Sequence, residues 1–207
     1  VPAVASGEQA ESGDLPQLLL FASFATAVAS FIYEIAWNRM LALVLGSATH
    51  SFELMLSAFI LGLALGAWGI RTRADRLADP LRTLGLVQWV MGGLALATLP
   101  LYIRSFGWTA ELLATFSPTD AGYTGFTLAR YALCLAIMLP ATVCAGMTLP
   151  LITRILLGLR TGERAIGAVY AWNTLGSIAG VLAAGLILLP ALGLHALLIT
   201  GALMDMA

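Results

Sequence analysis

The sequence predicts an all-α integral membrane protein with about six transmembrane helices and a short helix at the outer membrane interface. Hydrophobic residues make up 60% of the 207 residues, and charged residues make up only 10%. An ordinary soluble domain has about 25% charged residues. A soluble fold of this length has too little interior to enclose so much apolar surface. The chain is therefore expected to take lipid as its solvent.

The apolar residues fall into windows of the length that a membrane-spanning helix needs, which is about 20 residues. The windows are Leu18–Leu45, Phe52–Ile70, Leu84–Ile103, Phe126–Ile152, Ala165–Leu189 and a shorter one at Gly193–Ala207. A polar N-terminal tail, residues 1–14, precedes a helical membrane domain at residues 15–207. The last window is short for a span, so we expect the natural chain to continue beyond Ala207.

The connection between the third and fourth windows contains its own apolar pattern. Phe106–Phe116 combines aromatic and leucine residues in a way that is typical of a short helix lying at the membrane surface. Trp108 would then lie near the lipid headgroups, because tryptophan is enriched at that depth. This segment is the predicted outer interfacial helix.

The arginines predict the orientation in the membrane. Seven of them flank two of the connections, and Arg104 alone lies on the opposite side. Basic residues concentrate in cytoplasmic loops, which places the N-terminus in the cytoplasm. We expect the membrane to be a bacterial inner membrane. The seven are Arg71, Arg73, Arg76, Arg82, Arg154, Arg160 and Arg164. The net charge of -1 gives no indication of a nucleic-acid partner.

Two spans contain small residues at intervals of four. Helices in lipid associate where small side chains let their backbones approach closely. The pattern therefore predicts that each of these spans packs tightly against a neighbour. The residues are Ala58, Gly62 and Gly66 in the second span and Gly176, Gly180 and Ala184 in the fifth.

Ionisable residues inside the first span are the strongest indication of function. Each costs roughly 2.5 to 3.5 kcal/mol on membrane-insertion scales. We predict a buried polar cluster near the outer face, formed by Glu34, Asn38, Arg39, His50, Glu53 and Arg130. Either its acids line a cavity that receives a cationic solute or a proton, or its charges neutralise one another and fix the helix register. A second polar patch is predicted nearer the cytoplasm, at Tyr170, Trp172 and Asn173.

Three blocks of the sequence resemble one known family. The run YEIAWNRMLALVLGSATHSFELMLSAFILGLALGAW (Tyr33–Trp68), the stretch at Leu139–Arg154 and the stretch at Ile166–Leu194 resemble, in this order, the membrane half of fused major-facilitator/spermidine-synthase-like proteins. The resemblance implies a major-facilitator-like half bundle placed ahead of a cytoplasmic aminopropyltransferase-like domain. That soluble domain would perform any polyamine chemistry with decarboxylated S-adenosylmethionine.

This chain contains no glycine-rich loop between a strand and a helix, so we expect it not to be an enzyme and to need no cofactor. The two histidines and two cysteines lack the spacing of metal ligands, so no metal site is expected. The leading hypothesis is a transporter-like domain that binds or moves a small cationic solute such as a polyamine, with Glu34, Glu53, Tyr33 and Trp37 around the cation. The alternatives are a scaffold subunit beside other membrane subunits, or the membrane anchor of an aminopropyltransferase.

Overall fold

A computed structural model of the chain describes residues 6–46, 49–116, 119–159, 162 and 164–207, and every regular element in these residues is helical. The helices are α1 (Ser6–Leu45), α2 (Thr49–Arg71), α3 (Pro80–Thr115), α4 (Asp120–Gly158), α5 (Arg164–Leu182) and α6 (Leu189–Met206). A 3₁₀ turn at Ala74–Arg76 lies between α2 and α3, and a π-helical segment at Ala183–Leu188 joins α5 to α6.

The predicted all-helical fold is confirmed for the described residues. Five helical stretches are long and apolar enough to cross a membrane: Leu15–Leu45, Phe52–Arg71, Pro80–Thr115, Gly122–Gly158 and Arg164–Met206. They indicate a membrane protein. The first helix begins at Ser6, so it extends into the segment that the sequence predicts as a polar tail.

Local side-chain chemistry sets where two helices begin. The carboxylate of Asp79 accepts a hydrogen bond from the backbone N–H of Arg82, and Pro80 occupies the first turn of α3. The hydroxyl of Thr119 accepts from the backbone N–H of Gly122 at the start of α4. Both residues are N-caps, which satisfy backbone donors that have no partner within the helix.

The separate interfacial helix predicted at Phe106–Phe116 is absent from the described residues, because α3 continues without a break from Pro80 to Thr115. This end of α3 packs along α4. Thr109 is buried, and the ring of Phe116 meets the ring of Phe126 on α4 edge to face, with the ring centroids 6.4 Å apart. The apolar residues of this segment are therefore partly used in contact with α4.

The stretch from α5 to α6 changes direction at Gly193. This residue has φ 77° and ψ 175°, a backbone conformation that glycine adopts readily and that is not helical. The contacts on α1 confirm the reversal. Gly180 lies against Val28, and an uninterrupted helix would place Asp205 about 37 Å beyond that level. Instead Asp205 contacts Tyr33, so α6 returns along α1.

Two pairs of parallel helices form the centre of the bundle, and glycines mediate both contacts. In α2, Gly62 and Gly66 lie against Thr142 and Val143 of α4. In α5, Gly176 and Gly180 lie against Phe24 and Val28 of α1 in the same way. Ala58 and Ala184, the remaining members of the two small-residue stripes, are fully buried.

The spacing of the glycines relates these two contacts, and we interpret the relation as an internal repeat. Gly176 and Gly180 each follow Gly62 and Gly66 by 114 positions. The pairing α2 with α4 is thus repeated as the pairing α5 with α1. Because α1 and α2 are joined by a short connection and run antiparallel, the second copy is inverted relative to the first. Two buried hydrogen bonds described below, Thr148 to Gln88 and Tyr33 to Asp205, are separated by nearly the same number of positions.

We expect Gly66→Ala to lower the free energy of unfolding by about 1–3 kcal/mol, the usual cost of overpacking. The added methyl group would overlap the carbonyl oxygen of Val143, which cannot move aside without displacing the α4 backbone. The matched control is Gly69→Ala in the same helix, where nothing lies within 4 Å of the added carbon. Thermal unfolding of the purified protein in detergent measures both variants, and equal melting temperatures would contradict the prediction.

Candidate functional site

A small cavity, here called the crossing cavity, lies where the two helix pairs meet. Its volume is about 100 Å³, and its lining comes from α1, α2, α4 and α5. The polar residues of the lining are Thr26, Ser30, Thr148, Asn173 and Ser177. Hydroxyl and amide groups at this point can exchange hydrogen bonds with a solute, which apolar walls alone cannot do.

A polar series leads from the crossing cavity toward the C-terminal end of α1. Thr26, Ser30, Glu34 and Asn38 follow one another at intervals of four, so each lies about 6 Å along the axis from the next and on nearly the same face. Asn38 lines a second cavity of about 570 Å³, near the C-terminal end of α1, here called the outer cavity after the orientation that the sequence predicts. Glu34, half-buried, lies between the two cavities along α1.

The outer cavity lies between α1, α2 and the π-helical segment. Its walls are largely apolar, formed by residues such as Phe52, Met55 and Leu186, and its polar groups come from Asn38 and Arg39. The side-chain oxygen of Asn38 is enclosed and accepts no hydrogen bond from the described residues.

Glu34 and Arg39 do not pair with each other within the described residues. Neither Glu34 nor Arg39 makes a hydrogen bond or an ion pair there. The two residues are five positions apart, which separates their directions by about 140° on a helix. Arg39 is exposed at the edge of the outer cavity, whereas Glu34 is half-buried.

Arg130 is buried, and it binds the end of a helix. Its Nη2 donates a hydrogen bond to the carbonyl oxygen of Leu45, the last residue of α1. The guanidinium group also lies 5.4 Å from the ring centroid of Phe126. A cation at a helix C-terminus satisfies a free carbonyl and interacts favourably with the helix dipole. Arg130 therefore holds the C-terminal end of α1 against α4.

The two remaining members of the predicted cluster lie near the start of α2. Glu53 is exposed. The side chain of His50 lies outside the described part of the structure. Of the six predicted residues, Asn38 and Arg39 share the outer cavity, and Arg130 forms a hydrogen bond to the end of α1.

The second predicted patch is divided between two surfaces. Asn173 lines the crossing cavity. Tyr170 is 56% exposed, and Trp172 is 41% exposed and packs edge to face against Phe24. Only Asn173 is therefore available to a solute inside the bundle.

Three of the buried hydrogen bonds in the described residues join one side chain to another across two helices, and these were not predicted from the sequence. The Tyr33 hydroxyl donates to Oδ2 of Asp205 at 2.7 Å, joining α1 to α6. The indole N–H of Trp37 donates to the Thr98 hydroxyl at 3.0 Å, joining α1 to α3. Tyr33 and Trp37 are thus directed into the core and cannot surround a cation beside Glu34, as the sequence suggested.

The third contact joins α4 to α3, where the Thr148 hydroxyl donates to the side-chain oxygen of Gln88 at 3.3 Å.

A simple signal could have indicated Asp205 in advance. It is the only acidic residue between Gly193 and Ala207, so the argument that singled out Glu34 applies to it equally.

Comparisons of the chain with protein-family models, with curated proteins and with solved structures found no match. The fold and the cavities define a polytopic helical membrane protein. The family resemblance drawn from the sequence stays a prediction.

We expect Arg130→Gln to lower the free energy of unfolding by about 1–3 kcal/mol, the cost of losing a charged hydrogen bond to a buried carbonyl. The control is Arg104→Gln, which removes an exposed arginine of α3. Denaturant or thermal unfolding in detergent compares the two variants. If the Arg104 variant were the less stable of the two, Arg130 would not fasten α1.

Proposed function

We propose that this chain is the membrane domain of a transporter-like protein and that it binds or moves a small cationic solute such as a polyamine. In this proposal the domain is a six-helix, major-facilitator-like half bundle related to the membrane half of spermidine-synthase-fused proteins. The observation that supports it most is the inverted internal repeat. Many secondary transporters consist of such repeats, and their solute sites lie where the repeats meet, near the middle of the bilayer.

The helix count follows from Gly193. If the stretch Arg164–Met206 crosses the membrane twice, with its reversal at Gly193, then each copy of the repeat contains three spans. The first copy is α1 to α3 and the second is α4 to α6. The crossing cavity lies between these copies, which is the expected position of a solute site.

Glu34 gives the site its preference for cations. Along the polar series of α1, Glu34 is the only acidic residue, and its neighbours Ser30 and Asn38 provide uncharged polar groups one turn away on either side. A carboxylate inside a membrane bundle is stabilised by an opposite charge. An ammonium group of the solute would supply that charge, since no side chain of the described residues does so.

The test is binding of spermidine to the protein in lipid nanodiscs, measured by isothermal calorimetry. We expect Glu34→Gln to weaken binding at least tenfold, because the amide keeps the shape of the side chain but removes its charge. The matched control is Glu111→Gln, which removes an exposed acid at the far end of α3. Equal affinities in the wild type and the Glu34 variant would exclude Glu34 as the cation ligand.

The second candidate function is a scaffold subunit in a larger membrane complex. It is favoured by the outward side of α5, where large apolar side chains are exposed: Leu175, Ile178, Leu182 and the following Leu186. These residues contact lipid in an isolated domain and would contact partner helices in a complex. Stoichiometric co-purification of other membrane subunits, together with no spermidine binding, would favour the scaffold over the transporter. An anchor function would require an aminopropyltransferase domain on the natural chain.

The proposed orientation, in a bacterial inner membrane with the N-terminus in the cytoplasm, gives a topology prediction. A single cysteine introduced at Ala191, next to the reversal, should react with a membrane-impermeant maleimide added outside the cell. One introduced at Gly158 should react only after the membrane is opened. Both residues are exposed, so burial does not obscure the comparison. Labelling of the two positions from the same side would contradict six spans.

A further inference from the structure

We propose that Asp205 is a proton-binding site in the middle of the bundle, where α6 meets α1. The inference does not depend on the solute proposal. Asp205 is only 7% exposed, and one of its oxygens, Oδ2, accepts a hydrogen bond from the Tyr33 hydroxyl at 2.7 Å. Its other oxygen, Oδ1, is enclosed by protein and has no hydrogen-bond partner in the described residues.

The position of the pair excludes water as the usual partner of a carboxylate. Tyr33 lies in the span Leu15–Leu45, about 18 Å from its outer end and about 27 Å from its inner end. The contact is therefore well inside the hydrocarbon region. An ionised carboxylate at this depth, with a single hydrogen bond, is strongly unfavourable.

Among the described residues, no side chain beside Asp205 carries a charge that could compensate its ionised form. From α1, Tyr33 is the one titratable side chain that contacts the carboxyl in the described residues. On the side of α3, Gly92 faces Ala202 and Met206, which flank Asp205 in sequence and are uncharged. A proton removes the charge of the carboxyl and needs no additional space, whereas a metal ion or an amine would need a cavity.

The internal repeat provides independent support. Thr148 follows Tyr33 by 115 positions and Asp205 follows Gln88 by 117, close to the 114 positions that separate the paired glycines. The contact between Thr148 and Gln88 is therefore the counterpart of the contact between Tyr33 and Asp205. In both contacts a hydroxyl group donates to a side-chain oxygen. The counterpart of Asp205 is Gln88, whose amide is neutral. This position in the fold therefore accommodates an uncharged acceptor, and a protonated aspartate is also uncharged.

Infrared spectroscopy of the protein in lipid nanodiscs at neutral pH tests the proposal. The wild type should show the C=O stretching band of a protonated carboxyl, and Asp205→Asn should remove that band. Tyr33→Phe should shift the band, because it removes the hydrogen bond but leaves the carboxyl in place. This variant serves if Asp205→Asn does not fold. Glu34→Gln is the control for the other acid of the bundle and should leave the Asp205-dependent band unchanged.

The internal repeat also suggests a variant that should gain a second protonated carboxyl group. Gln88→Glu places a carboxyl at the counterpart position, and we expect it to add a second protonated-carboxyl band at neutral pH. The proposal is overturned if Asp205→Asn removes intensity only from the bands of ionised carboxylate, or if Tyr33→Phe leaves the carboxyl band unshifted.

Stability should follow the same proton. A carboxyl that keeps its proton in the folded protein and releases it on unfolding makes the folded state less stable as the pH rises. We expect the wild-type melting temperature to fall between about pH 5 and pH 8, because the carboxyl group of the unfolded chain is ionised throughout this range. The fall should be smaller in Asp205→Asn. Identical pH profiles would contradict a bound proton.

Discussion

The close approach of helix backbones at two glycine contacts is the constraint on which the rest of the bundle depends. Lipid does not drive helices together, so association requires contacts that lipid cannot match. At Gly180 even a methyl group would lie 2.8 Å from the carbonyl oxygen of Val28, which leaves no room for a side chain. These contacts fix α5 against α1 and α2 against α4. The crossing cavity exists because the two tight pairs meet there without filling the space between them.

Hydrogen bonds between polar side chains then join α3 and α6 to these two helix pairs. Tyr33, Trp37 and Thr148 each make one hydrogen bond to α6 or α3. Such bonds are worth only about 0.6 to 2 kcal/mol in lipid, but they act at defined positions and so fix register. The inverted repeat explains why they occur in matching places. The two matching contacts differ in one respect. The acceptor at Gln88 is an amide that cannot ionise, whereas the acceptor at Asp205 is a carboxyl group that can bind or release a proton.

The charged residues of α1 have different tasks although they are close in sequence. Glu34 is half-buried between the two cavities along α1, and Arg39 is exposed at the outer cavity. Arg130 fastens the end of α1. If Glu34 and Arg39 neutralised each other, their charges would only stabilise the bundle. Because they do not pair, the carboxylate of Glu34 stays available to a solute, and we therefore prefer the solute-binding proposal to the scaffold.

The sequence by itself determined the helical membrane class and the small-residue stripes, because both depend on local composition and on the helical period of 3.6 residues. It did not determine which helices those stripes join or that Phe106–Thr115 continues α3. Each depends on the rotation and tilt of one helix against another. The partnership of Tyr33 with Asp205 joins residues 172 positions apart, and only the reversal at Gly193 brings them together.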